Sequence, residues 1–328
     1  MNYSNKGFVR PTKTPGCVIP MNWGNSRDGV LTAGSTLISG ADYEKYAGFA
    51  IRQYKAINWD PATDQVLTVD QPCRGLILMV DGPVYIGQHA TISMAKKGSL
   101  LASNPEELLY LFSVSKKMKA IVDALKTLKG GPGGNGGTSV SYPGSPGSGG
   151  PGRVCQGGLG GGGASPGGDS SHTGGSGGSI VYPEVIGYPG AIAGADGLWG
   201  GGGSAYYSGN RTYRAGRPYG AGGGGSARIG HGGDGEHTGG FILLVAKGSV
   251  FIEGNLDVTG GRGGSGVTDS GGYPSGADGG SGGGVIAVFS HGAINTTSAV
   301  KTLTGGLTGA GGRGGTSGGS GTYHEERI

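Results

Sequence analysis

The sequence predicts a mainly β protein in which a glycine-rich polyglycine II helix lattice follows an N-terminal β-rich base with one long α-helix. Glycine supplies 81 of the 328 residues, and only 11 of these glycines precede residue 130. An apolar strand unit occurs three times, and short Gly-Gly-X runs follow its later copies. This glycine usage is far above that of an ordinary domain. We therefore expect a β-rich base over 1–103, an α-helix over 104–129 and a glycine-rich domain with variable loops over 130–328.

The base is expected to consist of short strands. Residues 29–38 predict a hairpin, and residues 54–59 and 66–69 predict strands that lead into the first copy of the repeated unit.

A helix is predicted directly after the base. Asn104 can cap the first turn, Pro105 suits the first helical position, and Glu106 and Glu107 favour the positive end of the helix dipole. Apolar residues then recur every three or four positions and form one face, which we assign to the core or to a subunit contact. The lysines of this segment are assigned to its solvated face: Lys116, Lys117, Lys119, Lys126 and Lys129.

The repeated unit has copies at 76–87, 241–254 and 285–295. Each copy contains an apolar run, a glycine turn and a second strand-like run, and the last two copies align at an offset of 44. Each continues into a third short stretch with the period-2 alternation of a half-buried strand. The pattern predicts stacked short strands, in which one repeat buries its apolar face against the next.

The Gly-Gly-X runs have a period of three, which matches the three residues per turn of an extended left-handed helix. Such runs begin at Gly130, Gly174, Gly260 and Gly311. Two glycines in three leave bare backbone faces, so neighbouring helices can approach and hydrogen-bond to one another. The alternative is a flexible linker, and the apolar strands between the runs count against it. Because the runs are short and interrupted, a collagen triple helix is excluded.

Charge, cysteines and motifs exclude several functional classes. The net charge of +4 is a mild excess that does not demand nucleic acid. Cys17, Cys73 and Cys155 lack the spacing of a disulfide framework or zinc site and are predicted to be reduced thiols. The sequence has no marked pair of carboxylates for glycosidase chemistry and no phosphate-binding loop. We therefore predict that the protein is not an enzyme and uses no cofactor.

Two weaker patterns concern metal ions and RNA. His231, Asp234, Glu236 and His237 carry suitable donor groups, but their spacing fits no established site, and no metal is predicted. Arg-Gly-Gly units at 262–264 and 313–315 resemble those of RNA-binding segments. Two such units are too few to favour RNA, so RNA binding is a remote alternative.

The segments 28–32, 67–69, 75–87 and 92–94, followed by glycine-rich runs, resemble the glycine-rich virion and tail-fibre proteins of tailed phages. The glycine-rich half resembles the receptor-binding tip adhesins of T-even-like phages. The resemblance implies loops that recognise a host cell-surface glycan or outer-membrane protein, and other virion proteins as further partners. It implies a place in the virion, in the tail or a fibre. The N-terminus lacks the apolar core of a signal peptide, so we expect assembly in the host cytoplasm.

The resemblance leaves the role on the particle and the oligomeric state open. A long helix and a large base suit a complete fibre, spike or decoration subunit, so a non-receptor role in the capsid, neck or baseplate is the alternative. Both a homotrimer and a single chain are compatible with the sequence. No nucleic acid partner is expected.

Recognition is expected where the glycine period breaks and aromatic residues with arginines take its place, since such residues commonly anchor binding surfaces. The alternative is that these rings cover the edge of the lattice. The candidate receptor-binding residues are Tyr182, Tyr188, Trp199, Tyr206, Tyr207, Arg211, Tyr213, Arg214, Tyr219 and Tyr273.

Overall fold

Three five-stranded parallel β-sheets form the body of the protein. The computed structural model describes residues 23–37, 48–99, 104–111, 116–137, 148–160, 206–208, 211–213, 234–266, 279–311 and 315–328. In chain order the strands are β1 (Val30–Leu31), β2 (Thr36–Leu37), β3 (Phe49–Tyr54), β4 (Ala56–Trp59), β5 (Gln65–Val69), β6 (Gly75–Val80), β7 (Val84–Ile86), β8 (Ala90–Ser93), β9 (Tyr206–Ser208), β10 (Arg211–Tyr213), β11 (Phe241–Ala246), β12 (Val250–Ile252), β13 (Asn255–Asp257), β14 (Val285–Ser290), β15 (Ile294–Asn295), β16 (Val300–Thr302) and β17 (Thr322–Arg327).

The chain winds in successive coils, and each complete coil adds one strand to each of the three sheets. Sheet 1 contains β3, β6, β11, β14 and β17, sheet 2 contains β1, β4, β7, β12 and β15, and sheet 3 contains β2, β5, β8, β13 and β16. Phe241 pairs with Val285, and Ile242 pairs with both Ile286 and Leu76. These pairs confirm that the three copies of the repeated unit stack, with the predicted offset between the last two. The architecture is a parallel β-solenoid, in which each coil packs on the next.

Three strands of sheet 1, β6, β11 and β14, are buried on both faces. In β6, Leu76 and Leu78 belong to the apolar interior of the solenoid, whereas Ile77 and Met79 lie under the helices outside. Burial on both faces explains why this strand is a continuous apolar run without alternation.

The predicted long helix is wrong, and so is the fold class that contained it. The protein is mainly β, and its described part has two short helices, α1 (Glu107–Leu111) and α2 (Lys116–Thr127). A periodic apolar face therefore continued across two separate elements.

Other features of the helix prediction are confirmed. The Asn104 side chain caps α1 by accepting a hydrogen bond from the backbone N–H of Glu106 at 3.1 Å. Met118, Ile121 and Leu125 of α2 are buried against sheet 1, so the apolar face belongs to the core. Four of the five lysines assigned to the solvated face are exposed, and Lys117 is half-buried with its ammonium over the Trp23 ring.

The predicted hairpin at 29–38 is wrong. Its strands, β1 and β2, belong to sheets 2 and 3 and pair in parallel with β4 and β5 of the next coil. A sharp turn between two short strands is common to a hairpin and to a solenoid corner. The pairing partner, which lies in the next coil, distinguishes them.

Glycine-rich segments form a second unit beside the solenoid, which we call the glycine-rich layer. The layer comprises the described residues 129–137, 148–160, 234–240, 258–266, 279–284, 303–311 and 315–321. The glycine-rich segments between successive coils connect the end of a strand in sheet 3 to the next strand in sheet 1. They therefore all leave the solenoid at the corner between sheets 3 and 1. The strands after residue 240 share their sheets with the strands of the predicted base.

The segment 279–284 lies at the centre of this layer. Its backbone is hydrogen-bonded to six other stretches of the layer, represented by Gly131, Gly158, Gly239, Gly261, Gly306 and Gly319. A strand within a β-sheet has only two hydrogen-bonded neighbours, so the layer is not a sheet. Contact this close requires glycine, since a Cβ on Gly282 would lie 1.8 Å from the carbonyl oxygen of Gly131. The polyglycine II form of each segment is not tested by these bonds and stays a prediction.

Candidate functional site

The candidate site is the end of the glycine-rich layer that is remote from the solenoid, which we call the loop end. Segments 258–266 and 303–311 leave the solenoid after β13 and β16 and run side by side. Successive bonds join Gly260 to Thr304, Gly263 to Leu307 and Gly266 to Ala310. The regular step of three residues carries both segments away from the strands.

Other segments return to the solenoid from the same end. Segment 279–284 leads into β14, and segment 315–321 leads into β17. They also run side by side, because Gly280 donates to the Thr316 carbonyl and Gly283 donates to the Gly319 carbonyl. The connections 267–278 and 312–314 therefore begin and end at the loop end.

Asn135 joins two further segments at the loop end. Its backbone N–H donates to Thr316 Oγ1 at 2.7 Å, and its carbonyl accepts from the Thr316 N–H at 2.9 Å. Its side-chain Oδ1 accepts from the Gly149 N–H at 2.8 Å. Asn135 and Thr316 were missed by the sequence reasoning. The sequence signal that could have identified them is their position, because each carries a side chain directly after a pair of glycines.

The longest connection, 161–233, starts and finishes in the same layer. Its first flank is hydrogen-bonded to the outgoing segment, because Gly158 donates to the Gly131 carbonyl at 2.7 Å. Its second flank is fixed by the backbone N–H of Glu236, which donates a hydrogen bond to the Arg262 carbonyl at 2.9 Å. Together with 138–147, four connections thus depart from a framework held by backbone hydrogen bonds.

Four of the candidate receptor-binding residues lie in the described part of the chain. Tyr206 and Tyr207 are in β9, and Arg211 and Tyr213 are in β10. The two strands form an antiparallel pair in which Tyr206 is opposite Tyr213 and Tyr207 is opposite Thr212. The structure therefore brings these four residues together on one hairpin within the 161–233 connection.

The other candidates lie outside the described residues. They are Tyr182, Tyr188, Trp199, Arg214, Tyr219 and Tyr273. The first five belong to the 161–233 connection, and Tyr273 belongs to the 267–278 connection.

An ion-pair cluster fixes the returning segment near β11. Glu236 contacts the Lys96 ammonium at 2.9 Å and accepts a hydrogen bond from the Arg262 N–H at 2.8 Å. Burial would raise the pKa of the Glu236 carboxyl, but the Arg262 N–H and the Lys96 ammonium outweigh burial, and the pKa lies below its usual value. The cluster ties the third solenoid coil, through Lys96, to two segments of the layer.

The arginine of one Arg-Gly-Gly unit is part of this cluster. Arg262 is exposed at the layer surface, where its Nε donates to the Thr308 carbonyl at 3.2 Å. Arg313, in the second unit, lies outside the described residues. The guanidinium of Arg262 therefore braces two neighbouring glycine-rich segments.

The structure describes residues 234–237 of the segment considered above for metal binding. Glu236 faces Lys96, and burial, followed by the Lys97 charge, lowers the pKa of His237. In the part of the chain that the structure describes, no three His, Cys, Asp or Glu residues form a group that could hold a metal ion. His231 lies outside that part.

Comparison with models of known protein families, with curated proteins and with solved structures yields no match. Within the described ranges, no helix is both long enough and apolar enough to cross a membrane.

Proposed function

We propose that this protein is a structural adhesin of a phage particle, which binds the host cell surface without catalysing a reaction. The observation that carries the proposal is that four connections depart from the hydrogen-bonded glycine-rich layer, three of them at its loop end. Two of these connections contain all of the candidate receptor-binding residues. This architecture suits an adhesin, because a rigid framework holds the ends of the connections that would bind the host.

Such a framework reduces the entropy that the connections lose when they bind a ligand. Binding residues are often found on loops that a rigid scaffold positions, and fixing the loop ends in advance reduces the entropy lost on binding. The central segment 279–284, with its six hydrogen-bonded neighbours, provides that rigidity. Paired Tyr206 and Tyr213, with Arg211 beside them, are the residue types that commonly dominate binding energy.

The phage assignment rests on the sequence resemblance described above. It implies other virion proteins as structural partners and a glycan or outer-membrane protein as the host ligand. The layer adds a physical reason for the glycine content, because side chains along its segments would prevent the close contacts between backbones.

Antibodies raised against residues 180–220 test the location and the role together. We expect them to label intact particles at the tail or fibre tip in electron micrographs and to block adsorption to the host. Labels along the capsid or neck with normal infection would assign the protein to a structural or decoration role. Particles without label would refute the assignment to the virion.

Paired substitutions test the hairpin itself. Tyr206→Ala with Tyr213→Ala should lower the adsorption rate of otherwise normal particles at least tenfold, because each aromatic anchor contributes about 2 kcal/mol or more. Phe251→Ala is the matched control, since Phe251 is a partly exposed ring on sheet 2, outside the layer. Equal adsorption by the hairpin variant and the control would contradict a role for the hairpin in attachment.

A further inference from the structure

The β9–β10 hairpin separates its residues onto two faces. In an antiparallel pair, residues that lie opposite each other share a face, and successive residues of one strand alternate between faces. The register places Tyr206 opposite Tyr213 and Ser208 opposite Arg211. Since Tyr206 and Ser208 are two positions apart, all four residues belong to one face, which we call the tyrosine–arginine face.

The other face of the hairpin carries no charge. It contains the remaining pair, Tyr207 opposite Thr212. Among the described residues of the hairpin, the single cation and two of the three tyrosines therefore share one side.

The sequence around the hairpin has a marked charge asymmetry. Residues 197–233 contain four arginines and no lysine, aspartate or glutamate. Residues 161–196, in the same connection, contain three acidic residues and no lysine or arginine. The hairpin thus belongs to the positive part of the connection, and charge complementarity favours an anionic ligand. The use of arginine without lysine favours carboxylate or phosphate, since the planar guanidinium matches both groups with paired hydrogen bonds.

The size of the tyrosine–arginine face favours a sugar over a protein. Three residues at about 3.3–3.4 Å each give strands roughly 10 Å long, and paired strands lie about 4.8 Å apart. A stable protein interface buries about 800 Å² on each partner and uses about 20–30 residues a side. A face of four residues is far smaller than that, whereas a six-membered sugar ring is close in size to one tyrosine ring.

We propose that the tyrosine–arginine face binds an acidic glycan, whose sugar ring packs on Tyr206 or Tyr213 while its carboxylate or phosphate pairs with Arg211. The inference rests on the proposed adhesin function and deepens it, because it selects the glycan from the two classes of host ligand. A tyrosine offers a rigid apolar ring face to the C–H groups of a sugar and a hydroxyl for hydrogen bonding. Arg211 supplies the stronger, charge-assisted hydrogen bonds to the anion.

Binding of the whole chain to three soluble polysaccharides tests the inference. Polygalacturonate carries carboxylates, phosphomannan carries phosphates, and dextran is neutral. In about 0.15 M salt, we expect the chain to bind at least one of the two anionic polymers and not dextran. The anionic polymer that binds more tightly identifies the anion that the site prefers.

Single substitutions then locate the site on the hairpin. Arg211→Gln should weaken binding of the anionic polymer about tenfold or more, because it removes the charge-assisted hydrogen bonds. Arg27→Gln is the matched control, since it removes the same charge from an exposed arginine that precedes β1, and its affinity should equal that of the unmodified chain. Thr212→Ala, on the other face of the hairpin, should also leave the affinity unchanged. Arg211→Lys keeps the charge and should bind more tightly than Arg211→Gln, which separates loss of charge from a disturbed hairpin.

Four results would overturn the proposal. They are binding of dextran as tight as that of the anionic polymers, no binding of either anionic polymer, equal weakening by Arg211→Gln and Arg27→Gln, and binding by Arg211→Lys as weak as that by Arg211→Gln. Failure of the adhesin function itself is seen separately, in the labelling and adsorption of whole particles. Particles that are labelled at the tail tip and blocked by antibody, from a chain that binds neither anionic polymer, would keep the adhesin and reject the acidic glycan.

Discussion

The central segment of the glycine-rich layer makes the most demanding prediction about stability. Alanine at Gly282 would place a Cβ 1.8 Å from the Gly131 carbonyl oxygen and 2.5 Å from its carbon. Both atoms belong to the backbone, so they cannot rotate away as a side chain could. The segments must separate by roughly 1.2 Å to reach the 3.0 Å that real Cβ contacts require. That separation also stretches the bonds from Gly282 to Gly158 and from Gly239 to Gly282.

These two effects set the magnitude. Overpacking costs about 1–3 kcal/mol, and each weakened hydrogen bond costs about 0.5–1.5 kcal/mol. Gly282→Ala should therefore lower the free energy of unfolding by about 2–6 kcal/mol. Since 1 kcal/mol corresponds to about 2–4 °C in domains of 150–250 residues and to less in longer chains, Tm should fall by about 10 °C.

Thermal unfolding followed by circular dichroism measures this difference. The matched control is Ser281→Ala in the same segment, where the layer already accommodates a Cβ. Ser281 Oγ accepts a hydrogen bond from the Gly261 N–H at 2.7 Å, so its loss should cost about 0.5–1.5 kcal/mol. If Gly282→Ala melts no lower than Ser281→Ala, the close packing of the central segment is refuted.

Three further predictions concern the helix α2, the carboxyl group of Glu325 in β17 and the thiols. Leu125→Ala should lower the free energy of unfolding by about 2–5 kcal/mol, because it leaves a cavity between α2 and sheet 1; denaturant titration measures this. The Tyr323 hydroxyl lowers the pKa of the Glu325 carboxyl, so the stability it contributes is present above the unfolded pKa of about 4.3 and is lost as pH falls through the folded value. Tm should consequently decline less steeply below about pH 4.3 in Glu325→Gln than in the unmodified chain. Burial raises the pKa of Cys73 to about 11 and raises that of Cys155 further, so neither thiol should react with a disulfide reagent at pH 8 until the protein unfolds.

Each of these predictions has its own control. Lys119→Ala, on the exposed face of α2, should change stability by about 0.5 kcal/mol or less, and a similar loss in both variants would contradict the packing of α2. Glu326→Gln, which removes the neighbouring exposed carboxylate, is measured alongside, and if Glu325→Gln leaves the fall of Tm at acid pH unchanged, Glu325 is not the group involved. Thiol counting is done in Cys17→Ser, where fast reaction of either remaining thiol in the folded protein would exclude their burial.

Much of the solenoid could be predicted from local sequence. The three copies of the repeated unit predicted stacked strands because each repeat can bury its apolar face only against its neighbour. The Asn104 cap and the apolar face of α2 were also correct, since capping and helical periodicity act over a few residues. The single long helix was wrong because one apolar period fits the residues of both α1 and α2, so periodicity alone does not separate the two helices.

The candidate site was predictable only in part. Aromatic residues and arginines at breaks in the glycine period identified Tyr206, Tyr207, Arg211 and Tyr213, and the structure places them on one hairpin. Which of these residues lie opposite each other depends on the register of β9 and β10, and the residue pattern alone did not predict that register. The Asn135 contacts with Thr316 join residues far apart in the chain and could not be read from composition.

By itself, the sequence determined that the chain contains short stacked strands and that glycine-rich runs separate them, because apolar repeats and Gly-Gly-X runs are local patterns. Only the tertiary structure decided which strands share a sheet, how the helices cover sheet 1 and where the glycine-rich segments converge. The physical reason is that these arrangements depend on backbone hydrogen bonds between distant residues. Backbone groups are the same in every residue, so their partners are chosen by the packing of the whole chain.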